Sequence, residues 1–491
     1  MFQRLRVFDR FLFNAAQSRL EATAFDWFDA DATFEKLSGD IDRVASALFR
    51  LRDLKPDLVG LRCQNPYQHW VFVLSLARIG LASASLPHVV DANFVRALTA
   101  LRPDVLITDC DDGAAVGGRQ WLVLNEMWFR NVCETGERLA RAVAVKPDDV
   151  ARVALAGAAD ATPQRISMTY RYVEIAVFHL LYHDIMAHAR GQAGYRVIPT
   201  LGAETPSGFL VIIAALTAGS CVQIATAAQL GAAFSQKTPC VAIVSPSQAE
   251  FILSQLPPGM QPLTHFYLTV AGGRLSTALC NRLRQSLTPN VQVVYGSDEC
   301  GPVAFGDPAT LGDEAAVGHV VPWITLEVVD ADDAPCPANV EGEVRLMGTG
   351  VIGRYDDNFS LTEKKFRNGW FYPGDRGSVD AHGVLKLSGR SDDLISFGGD
   401  KFDLRAIDAH ILECPGVRDC AVFAVPDENG KPEPWAALVT ESCFQTGLLA
   451  TRLRDEFPNL PLVRTVRIEK MPRDDGGAPD RQALLVAVKA V

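Results

Sequence analysis

The chain has 491 residues, of which 48% are hydrophobic and 21% are charged, and its formal net charge is −11. This length exceeds what one ordinary hydrophobic core accommodates, so we expect two or more domains. The composition excludes a disordered protein. The acidic balance argues against a surface for nucleic acid or anionic membranes, because both need basic patches.

Neither a secretion signal nor a membrane span is expected. Residues 1–10 interrupt their apolar run with a charge every few positions, unlike a signal peptide. The longest apolar stretch, residues 209–218, is shorter than the roughly 20 residues that a membrane-spanning helix needs. The 11 cysteines include no Cys-x-x-Cys pair, which favours free thiols in a reducing compartment. We therefore predict a cytoplasmic protein.

The first part of the chain, to about residue 145, alternates helical and strand patterns. The helical segments are residues 34–51 and 70–79, and the strand segments are residues 58–62 and 105–109. This βα alternation is typical of a wound parallel sheet. A charged link with a proline at residues 145–149 precedes a second set of this kind, whose apolar strand segments are 240–244, 266–270 and 291–294.

After about residue 317 the pattern changes to short strands separated by Asp, Gly and Pro turns, which indicates an antiparallel sheet or barrel. These strand segments are residues 325–329, 342–347 and 383–387. The last hundred residues form a small α+β unit. Its expected elements are a helix at 405–412, a strand at 417–425, a helix at 447–456 and a strand at 465–469.

One apolar strand ends in Tyr295-Gly296-Ser297-Asp298-Glu299. This places an aromatic ring and acids at the carboxyl end of a sheet, where α/β proteins bind ligands. The glycine allows a close backbone approach, the ring can stack on adenine, and a carboxylate can hold Mg²⁺ bound to phosphates. Alone, the motif is equally typical of an ordinary turn with an exposed acid.

Three other features are ambiguous when taken singly. Gly272-Gly273-Arg274 follows an apolar strand and suits packing against a flat ring, or is an ordinary strand-to-helix loop. Asp375 can accept two hydrogen bonds from a ribose diol, and Arg390 can donate to the same ribose.

The order and spacing of the motifs are more specific. They are Gly272-Gly273, Tyr295-Gly-x-x-Glu299, Gly318-x-x-x-Pro322, Gly342-Glu343, Gly369-Trp-Phe-x-x-Gly-Asp375, Gly389-Arg-x-Asp-Asp393 and Gly398-Gly399. This series resembles the adenylate-forming superfamily of acyl- and aryl-CoA ligases, fatty acyl-AMP ligases, adenylation domains and luciferases. The resemblance extends from about residue 35 to the end of the chain.

The resemblance implies an α/β fold with a large N-terminal AMP-binding-type domain at residues 1–390. This domain combines two wound βα subdomains with a small β-barrel-like part. A small, mobile α+β domain follows at residues 391–491, with a hinge near Asp392.

The resemblance also implies roles for individual residues. Tyr295 and Gly273 would flank adenine, Glu299 would act in catalysis by serving Mg²⁺ through the phosphates, and Asp375 and Arg390 would hold ribose. The remaining predicted cofactor-binding residues are Gly157, Arg274, Gly296 and Asp298.

The phosphate loop departs from the family pattern. The family's loop is rich in Ser, Thr and Gly and ends in Pro-Lys, whereas residues 155–164 here have alanine in place of most hydroxyl residues, include Asp160 and end in Gln164. A hydrogen bond to a charged group is worth about 1.5–3 kcal/mol, so losing several of them predicts weaker ATP binding. Backbone N–H groups can still hold some phosphate.

The C-terminus departs from the pattern as well. The family's closing motif carries a lysine that bridges the carboxylate and the nucleotide, and its position here is Ala478. Removing one donor aimed at transition-state charge typically costs about 10²–10³ in rate. Lys470, Arg473 and Arg481 are near in sequence, but no pattern shows that one of them replaces the lysine.

Two other patterns favour structural interpretations. Residues 348–353 fit Gly-x-Gly-x-x-Gly, but a polar turn follows them where a dinucleotide site needs a helix. His179, His183 and His188 have helical spacing without a cluster of acids or cysteines, which favours helix packing over a metal site.

The sequence therefore predicts a ligase-type protein that acts on a carboxylic acid or an activated acyl substrate, with a weakened ATP-dependent first half-reaction. The implied cofactors are ATP or AMP and Mg²⁺, with CoA or the phosphopantetheine of an acyl carrier protein as the thiol. Three alternatives stay open: a fully active ligase, a transferase that uses a preformed acyl-adenylate or thioester, and a non-catalytic pseudo-ligase that binds an acyl ligand or a partner.

Overall fold

The computed structural model describes most of the chain: residues 20–27, 30–110, 120–156, 163–182, 195–225, 238–257, 259–390, 394–397, 400–427, 432–441, 444, 446–473 and 479–489. Contacts divide the chain into two units. The first comprises residues 1–157, 163–310 and 348–364, and the second comprises residues 158–162, 311–347 and 365–491. The predicted boundary at residue 390 stays a prediction, because Asp392 lies outside the described residues.

Fourteen strands of the first unit are described. They are β1 Thr23–Trp27, β2 Ala30–Thr33, β3 Val59–Arg62, β4 Ser83–Ser85, β5 Val105–Thr108, β6 Gln120–Val123, β7 Val150–Ala156, β8 Gln164–Thr169, β9 Arg196–Pro199, β10 Cys221–Ile224, β11 Cys240–Val244, β12 Phe266–Val270, β13 Asn290–Ser297 and β14 Gly301–Gly306.

The helices along the chain, up to residue 365, alternate with these strands. They are α1 Phe34–Leu48, α2 Pro66–Arg78, α3 Ala92–Leu101, α4 Glu126–Thr135, α5 Tyr170–Tyr182, α6 Pro206–Thr217, α7 Pro246–Gln255, α8 Thr277–Ser286, α9 Pro308–Leu311 and α10 Phe359–Lys365, with a 3₁₀ helix at Phe49–Leu54. Several begin at side-chain caps, and Asn65 and Thr205 each precede a proline in the first turn.

The first unit is built on two mainly parallel sheets, as the βα alternation predicted. One runs β14-β13-β12-β11-β9-β10-β1-β2, and the other runs β6-β5-β3-β4-β7-β8. Their central strands are short and apolar because helices cover both faces: every residue of β5 and of β11 is buried.

One strand was not predicted. This strand, β8, precedes α5 and pairs antiparallel with β7. Ile166 and Met168 are buried, and the polar residues next to them are half-buried. This alternation is typical of a strand with one covered face.

The second unit contains an antiparallel sheet, as predicted for the region after residue 317. Its strands are β15 Ala316–Val320, β16 Ile324–Val329, β17 Gly342–Gly348, β18 Phe366–Arg367, β19 Trp370–Phe371, β20 Asp375–Val379 and β21 Val384–Arg390. The order is β18-β19-β17-β20-β21-β15, and β16 pairs with β17.

The C-terminal part of this unit is α+β. Its elements are β22 Leu394–Phe397, β23 Asp400–Asp403, α11 Leu404–Leu412, β24 Val417–Pro426, β25 Pro432–Thr440, α12 Thr446–Glu456, β26 Arg464–Arg467 and α13 Arg481–Lys489. Alternate residues of β24 face opposite cores. Cys420 and Val422 pack with residues of α11 and α12, whereas Ala421 and Phe423 pack with Leu484 of α13. Among the described residues, no helix is long and apolar enough to cross a membrane.

Candidate functional site

The 295–299 turn lies where β13 ends, and its shape requires glycine at one position. β13 runs parallel to β12 and antiparallel to β14, with a register shift between Tyr295 and Gly296. An ideal Cβ on Gly296 would lie 2.1 Å from the carbonyl oxygen of Gly301. Since that atom belongs to the backbone, any side chain here would displace the turn. The role of Gly296 in cofactor binding stays a prediction.

Glu299 is fixed from both its side chain and its backbone. The hydroxyl of Tyr355 donates to Oε1 of Glu299 at 2.8 Å, and the N–H of Ile352 donates to its carbonyl oxygen at 2.8 Å. Tyr355 is buried. No described residue donates to Oε2, so this geometry leaves one carboxylate oxygen for a ligand or a metal ion.

Asp298 lies against the first turn of α6. The hydroxyl of Ser207 donates to Oδ1 of Asp298 at 2.7 Å. Burial raises the pKa of the Asp298 carboxyl to about 6, the neighbouring charge of Glu299 adds to the shift, and the hydrogen bonds from Ser207 oppose it. Burial, with the nearby Cys300, Asp298 and Glu299, also raises the pKa of Tyr172 on α5. The two acids therefore create a negative region at the end of β13.

The 272–274 turn lies at the same edge of the sheet. It follows β12, the parallel neighbour of β13, so both turns leave the carboxyl ends of adjacent strands. Gly272 has a φ of +77°, which favours glycine, and an ideal Cβ on Gly273 would lie 3.1 Å from Cγ of Pro246. Arg274 is exposed. The structure thus brings together the predicted residues of the first unit that it describes.

Asp375 and Arg390 belong to the second unit, where they face each other. They are register partners in β20 and β21, and Nη1 of Arg390 lies 3.4 Å from Oδ1 of Asp375. Nη2 of Arg390 also donates to the carbonyl oxygen of Pro373 at 3.2 Å. The two predicted ribose-binding side chains are therefore held in one place.

Gln164 occupies the position of the family's phosphate-loop lysine and forms an uncharged hydrogen bond. Gly157 lies outside the described residues, but Gln164 begins β8. Nδ2 of Asn358 donates to Oε1 of Gln164 at 3.0 Å, and Oδ1 of Asn358 accepts from the N–H of Leu361 at 3.0 Å. Gln164 therefore takes part in holding the start of α10.

The arginines near the missing C-terminal lysine have partners in the second unit. Arg473 pairs with Asp419 at 2.5 Å. Arg481 pairs with Asp408 at 2.5 Å and donates from Nε to the carbonyl oxygen of Val422 at 2.8 Å. Arg481 thus links α13 to α11 and β24, and Arg473 forms an exposed pair with an acid of β24. Ala478 itself lies outside the described residues.

Sequence reasoning missed a buried cation, Arg152, inside the apolar strand β7. Its guanidinium donates to the hydroxyls of Ser83, at 3.0 Å, and Ser85, and to the carbonyl oxygen of Ala203, at 2.9 Å. It also lies 5.0 Å from the ring centre of Phe209. Burial lowers its pKa to about 9. An arginine within an otherwise apolar seven-residue strand was the available signal.

Two histidine interactions are structural. Nε2 of His179 lies 3.2 Å from Oγ1 of Thr349, and burial lowers the pKa of His179 to about 4. Nε2 of His69 lies 2.8 Å from Oγ of Ser85. Within the described part of the chain, no group of three or more His, Cys, Asp or Glu residues is arranged to hold a metal ion.

Comparison with known proteins identifies the family of the chain. The model of the AMP-binding enzyme family matches residues 12–356. The chain belongs to this family. The predicted membership of the adenylate-forming superfamily is therefore confirmed, and so is the predicted α/β fold class.

Curated relatives match parts of the chain, and a solved structure shares its fold. The chain is 35% identical to 4-hydroxybutyrate–CoA ligase 2 of Metallosphaera sedula over 124 residues, which are 24% of the chain and 22% of that protein. It is 25% identical to the medium-chain fatty-acid–CoA ligase of Escherichia coli over 364 residues, which are 69% of the chain and 61% of the relative. The crystal structure of ATP-bound MatB from Rhodopseudomonas palustris superposes with a TM-score of 0.83 at 18% identity, covering 99% of both chains. The chain thus spans less than two thirds of these two curated relatives.

The contact at Gly296 predicts a steric effect. Gly296→Ala should lower the free energy of unfolding by about 1–3 kcal/mol, because its Cβ meets the backbone of Gly301. Chemical denaturation measures this. Gly353→Ala is the matched control, since its Cβ would meet nothing within 4 Å. Equal stability of the two variants would contradict the steric role of Gly296.

Proposed function

We propose that this protein is an acid–thiol ligase-like enzyme that recognises an adenylate and performs the ATP-dependent first half-reaction slowly. In the full reaction, a carboxylic acid and MgATP give an acyl-AMP and pyrophosphate. A thiol then attacks the acyl carbonyl, which releases AMP and forms a thioester. The acceptor thiol belongs to CoA or to the phosphopantetheine of an acyl carrier protein.

The arrangement at the carboxyl edge of the first sheet supports adenylate recognition. Tyr295 lies near the carboxyl end of β13 and Gly273 follows the adjacent parallel strand β12, so an adenine ring would lie between the two turns. Glu299, with Oε2 not bonded to a described residue, would hold Mg²⁺ through the phosphates. In the second unit, Asp375 and Arg390 would bind the ribose, and Asp392 would act as the hinge of the small domain.

The observation that supports a slow first step is which residues occupy two positions of the sequence. Both lysines that the family uses to hold phosphate and carboxylate charge are replaced, by Gln164 and Ala478. Each charge-assisted hydrogen bond is worth about 1.5–3 kcal/mol, so two losses amount to about 3–6 kcal/mol, or about 10²–10⁴ in rate. The contact of Gln164 with Asn358 supports a structural use of this position.

A transferase that uses a preformed acyl-adenylate is the second candidate. The thiol attack releases AMP and needs no contact with a departing pyrophosphate. The carboxyl of Asp298, beside Glu299, favours this candidate, because an acyl-adenylate carries one negative charge near the turn whereas ATP carries several.

Restoring the lysines tests the proposal. The double variant Gln164→Lys, Ala478→Lys should exchange pyrophosphate into ATP about 10²-fold faster than the unchanged protein, because two donors return to developing charge. The measurement is acid-dependent exchange of labelled pyrophosphate with a panel of carboxylic acids. Gln255→Lys, at an exposed position of α7, is the control for added charge. Exchange at ordinary family rates in the unchanged protein would contradict the slow first step.

A second assay separates either enzyme from a pseudo-ligase. The protein is given a purified acyl-AMP and CoA without ATP, and thioester formation is followed by chromatography. Formation of thioester supports the ligase or the transferase. Binding of AMP in calorimetry without turnover of any acyl-AMP would support a pseudo-ligase.

The pairing of Asp375 with Arg390 predicts how ribose is recognised. Asp375→Ala should weaken AMP binding about tenfold, because two hydrogen bonds from the ribose diol are lost. Binding of 2′,3′-dideoxy-AMP should change far less, since it lacks the donors. Calorimetry with both ligands completes the comparison, and equal losses for both would rule out a diol contact.

A further inference from the structure

Residues 349–358 lead from β17 to α10 and belong to the first unit; we call this segment the strap. At its start, Oγ1 of Thr349 lies 3.2 Å from Nε2 of His179 on α5. Near its end, the N–H of Asp356 donates to the carbonyl oxygen of Arg165 on β8 at 2.9 Å. The strap is therefore fixed at both ends by contacts outside the candidate site.

The middle of the strap contacts Glu299 twice. The N–H of Ile352 donates to the carbonyl oxygen of Glu299 at 2.8 Å, and the hydroxyl of Tyr355 donates to its Oε1 at 2.8 Å. Tyr355 is buried, and its own N–H donates to Oγ1 of Thr362 on α10 at 3.0 Å. The backbone and the buried ring of Tyr355 are thus held by contacts other than the one with the carboxylate.

The side chain of Glu299 depends on Tyr355 more than the strap depends on Glu299. Glu299 is half-buried, and among the described residues Tyr355 is the one side chain that donates to its carboxylate. Without this bond the glutamate would regain rotamer freedom, since its side chain has several rotatable bonds. The strap would keep its contacts with α5 and β8. The hydrogen bond therefore orders the carboxylate.

We propose that Tyr355 is a positioning residue, whose hydroxyl occupies Oε1 of Glu299 so that Oε2 is the oxygen presented to Mg²⁺. This inference rests on the proposed function, which gives Glu299 its role toward the metal ion. The geometry fits that role, because one carboxylate oxygen has a donor and no described residue donates to the other. Hydrogen-bond partners of ligating carboxylates matter, and losing one typically costs about 10–100-fold in metal affinity. Tyr355 acts through Glu299 and needs no contact with the nucleotide.

Removal of the hydroxyl alone tests the proposal. Calorimetry measures the affinity for ATP, with and without Mg²⁺, of the unchanged protein, Tyr355→Phe and Glu299→Gln. No carboxylic acid is supplied, so the experiment measures binding without adenylation. With Mg²⁺, the affinity of Tyr355→Phe should be about tenfold lower, and that of Glu299→Gln should be lowered at least as much. Without Mg²⁺, neither variant should bind ATP more weakly than the unchanged protein, because the carboxylate then has no metal ion to hold.

A double variant separates positioning from a general effect on structure. Tyr355→Phe combined with Glu299→Gln should bind ATP with Mg²⁺ as weakly as Glu299→Gln alone, because the hydroxyl acts only through the carboxylate. Tyr182→Phe is the matched control: it removes a hydroxyl from an exposed position of α5 and should change no affinity. Thermal melts of each variant verify folding.

A second variant keeps the test decisive if Tyr355→Phe does not fold. Thr362→Val removes the acceptor of the Tyr355 N–H and keeps the phenol hydroxyl. It should loosen the hold on the tyrosine, so that the affinity for ATP decreases less than in Tyr355→Phe, and only with Mg²⁺. An equal decrease without Mg²⁺, or none at all, would contradict the positioning role.

The outcomes separate this inference from the proposed function. If Glu299→Gln weakens binding with Mg²⁺ and Tyr355→Phe does not, the role of Tyr355 is wrong and the proposed function stands. If Tyr355→Phe weakens binding equally with and without Mg²⁺, or adds to the loss of Glu299→Gln, the hydroxyl has only a structural role. If Mg²⁺ does not change the affinity of the unchanged protein, the metal role of Glu299 and the inference are wrong, while adenylate recognition stands. If no nucleotide binds, both proposals are wrong.

Discussion

The close approach of Gly296 to the carbonyl of Gly301 is the constraint on which the candidate site depends. It allows β14 to turn back on β13 through a bulge, which directs the side chains of the 295–299 turn at the carboxyl edge of the sheet. Tyr355 then fixes Glu299, and Ser207 fixes Asp298. Without the bulge, the register of the pair would shift and these side chains would exchange faces, since successive residues of a strand point to opposite sides.

Local constraints of this kind explain which predictions the sequence supports. Helix caps and apolar periodicity are properties of short segments, so α1, α11 and β24 begin within one residue of the predicted positions. α2 begins four residues before its predicted start, because Asn65 caps it and Pro66 occupies the first turn. β8 was missed because a strand of six residues with only two buried apolar side chains carries a weak signal, and its pairing with β7 supplies the rest.

The candidate site was predictable where it depends on the order of motifs and unpredictable where it depends on contacts between distant segments. The acids and glycines of the two turns were found in the sequence. The partners of those residues were not, because Ser207 is 91 residues from Asp298 and Tyr355 is 56 residues from Glu299. A serine or a tyrosine at such distances has no local pattern. Arg152 did have a local pattern, since its charge interrupts an apolar strand. Its hydrogen-bond acceptors could not be predicted, because they lie on other elements.

The placement of the arginines bears on whether existing cations replace the missing lysines. Arg165 lies 3.5 Å from Asp356, Arg473 pairs with Asp419 of β24, and Arg481 pairs with Asp408 of α11. Freeing Arg165 or Arg481 to bind phosphate would leave a partly buried acid without its counter-ion, which is costly. The same reasoning applies to Arg152, whose removal from β7 would leave the carbonyl of Ala203 unpaired. These paired arginines are therefore poorly placed to be redirected to a triphosphate, and a ligand that brings less negative charge makes less demand on them.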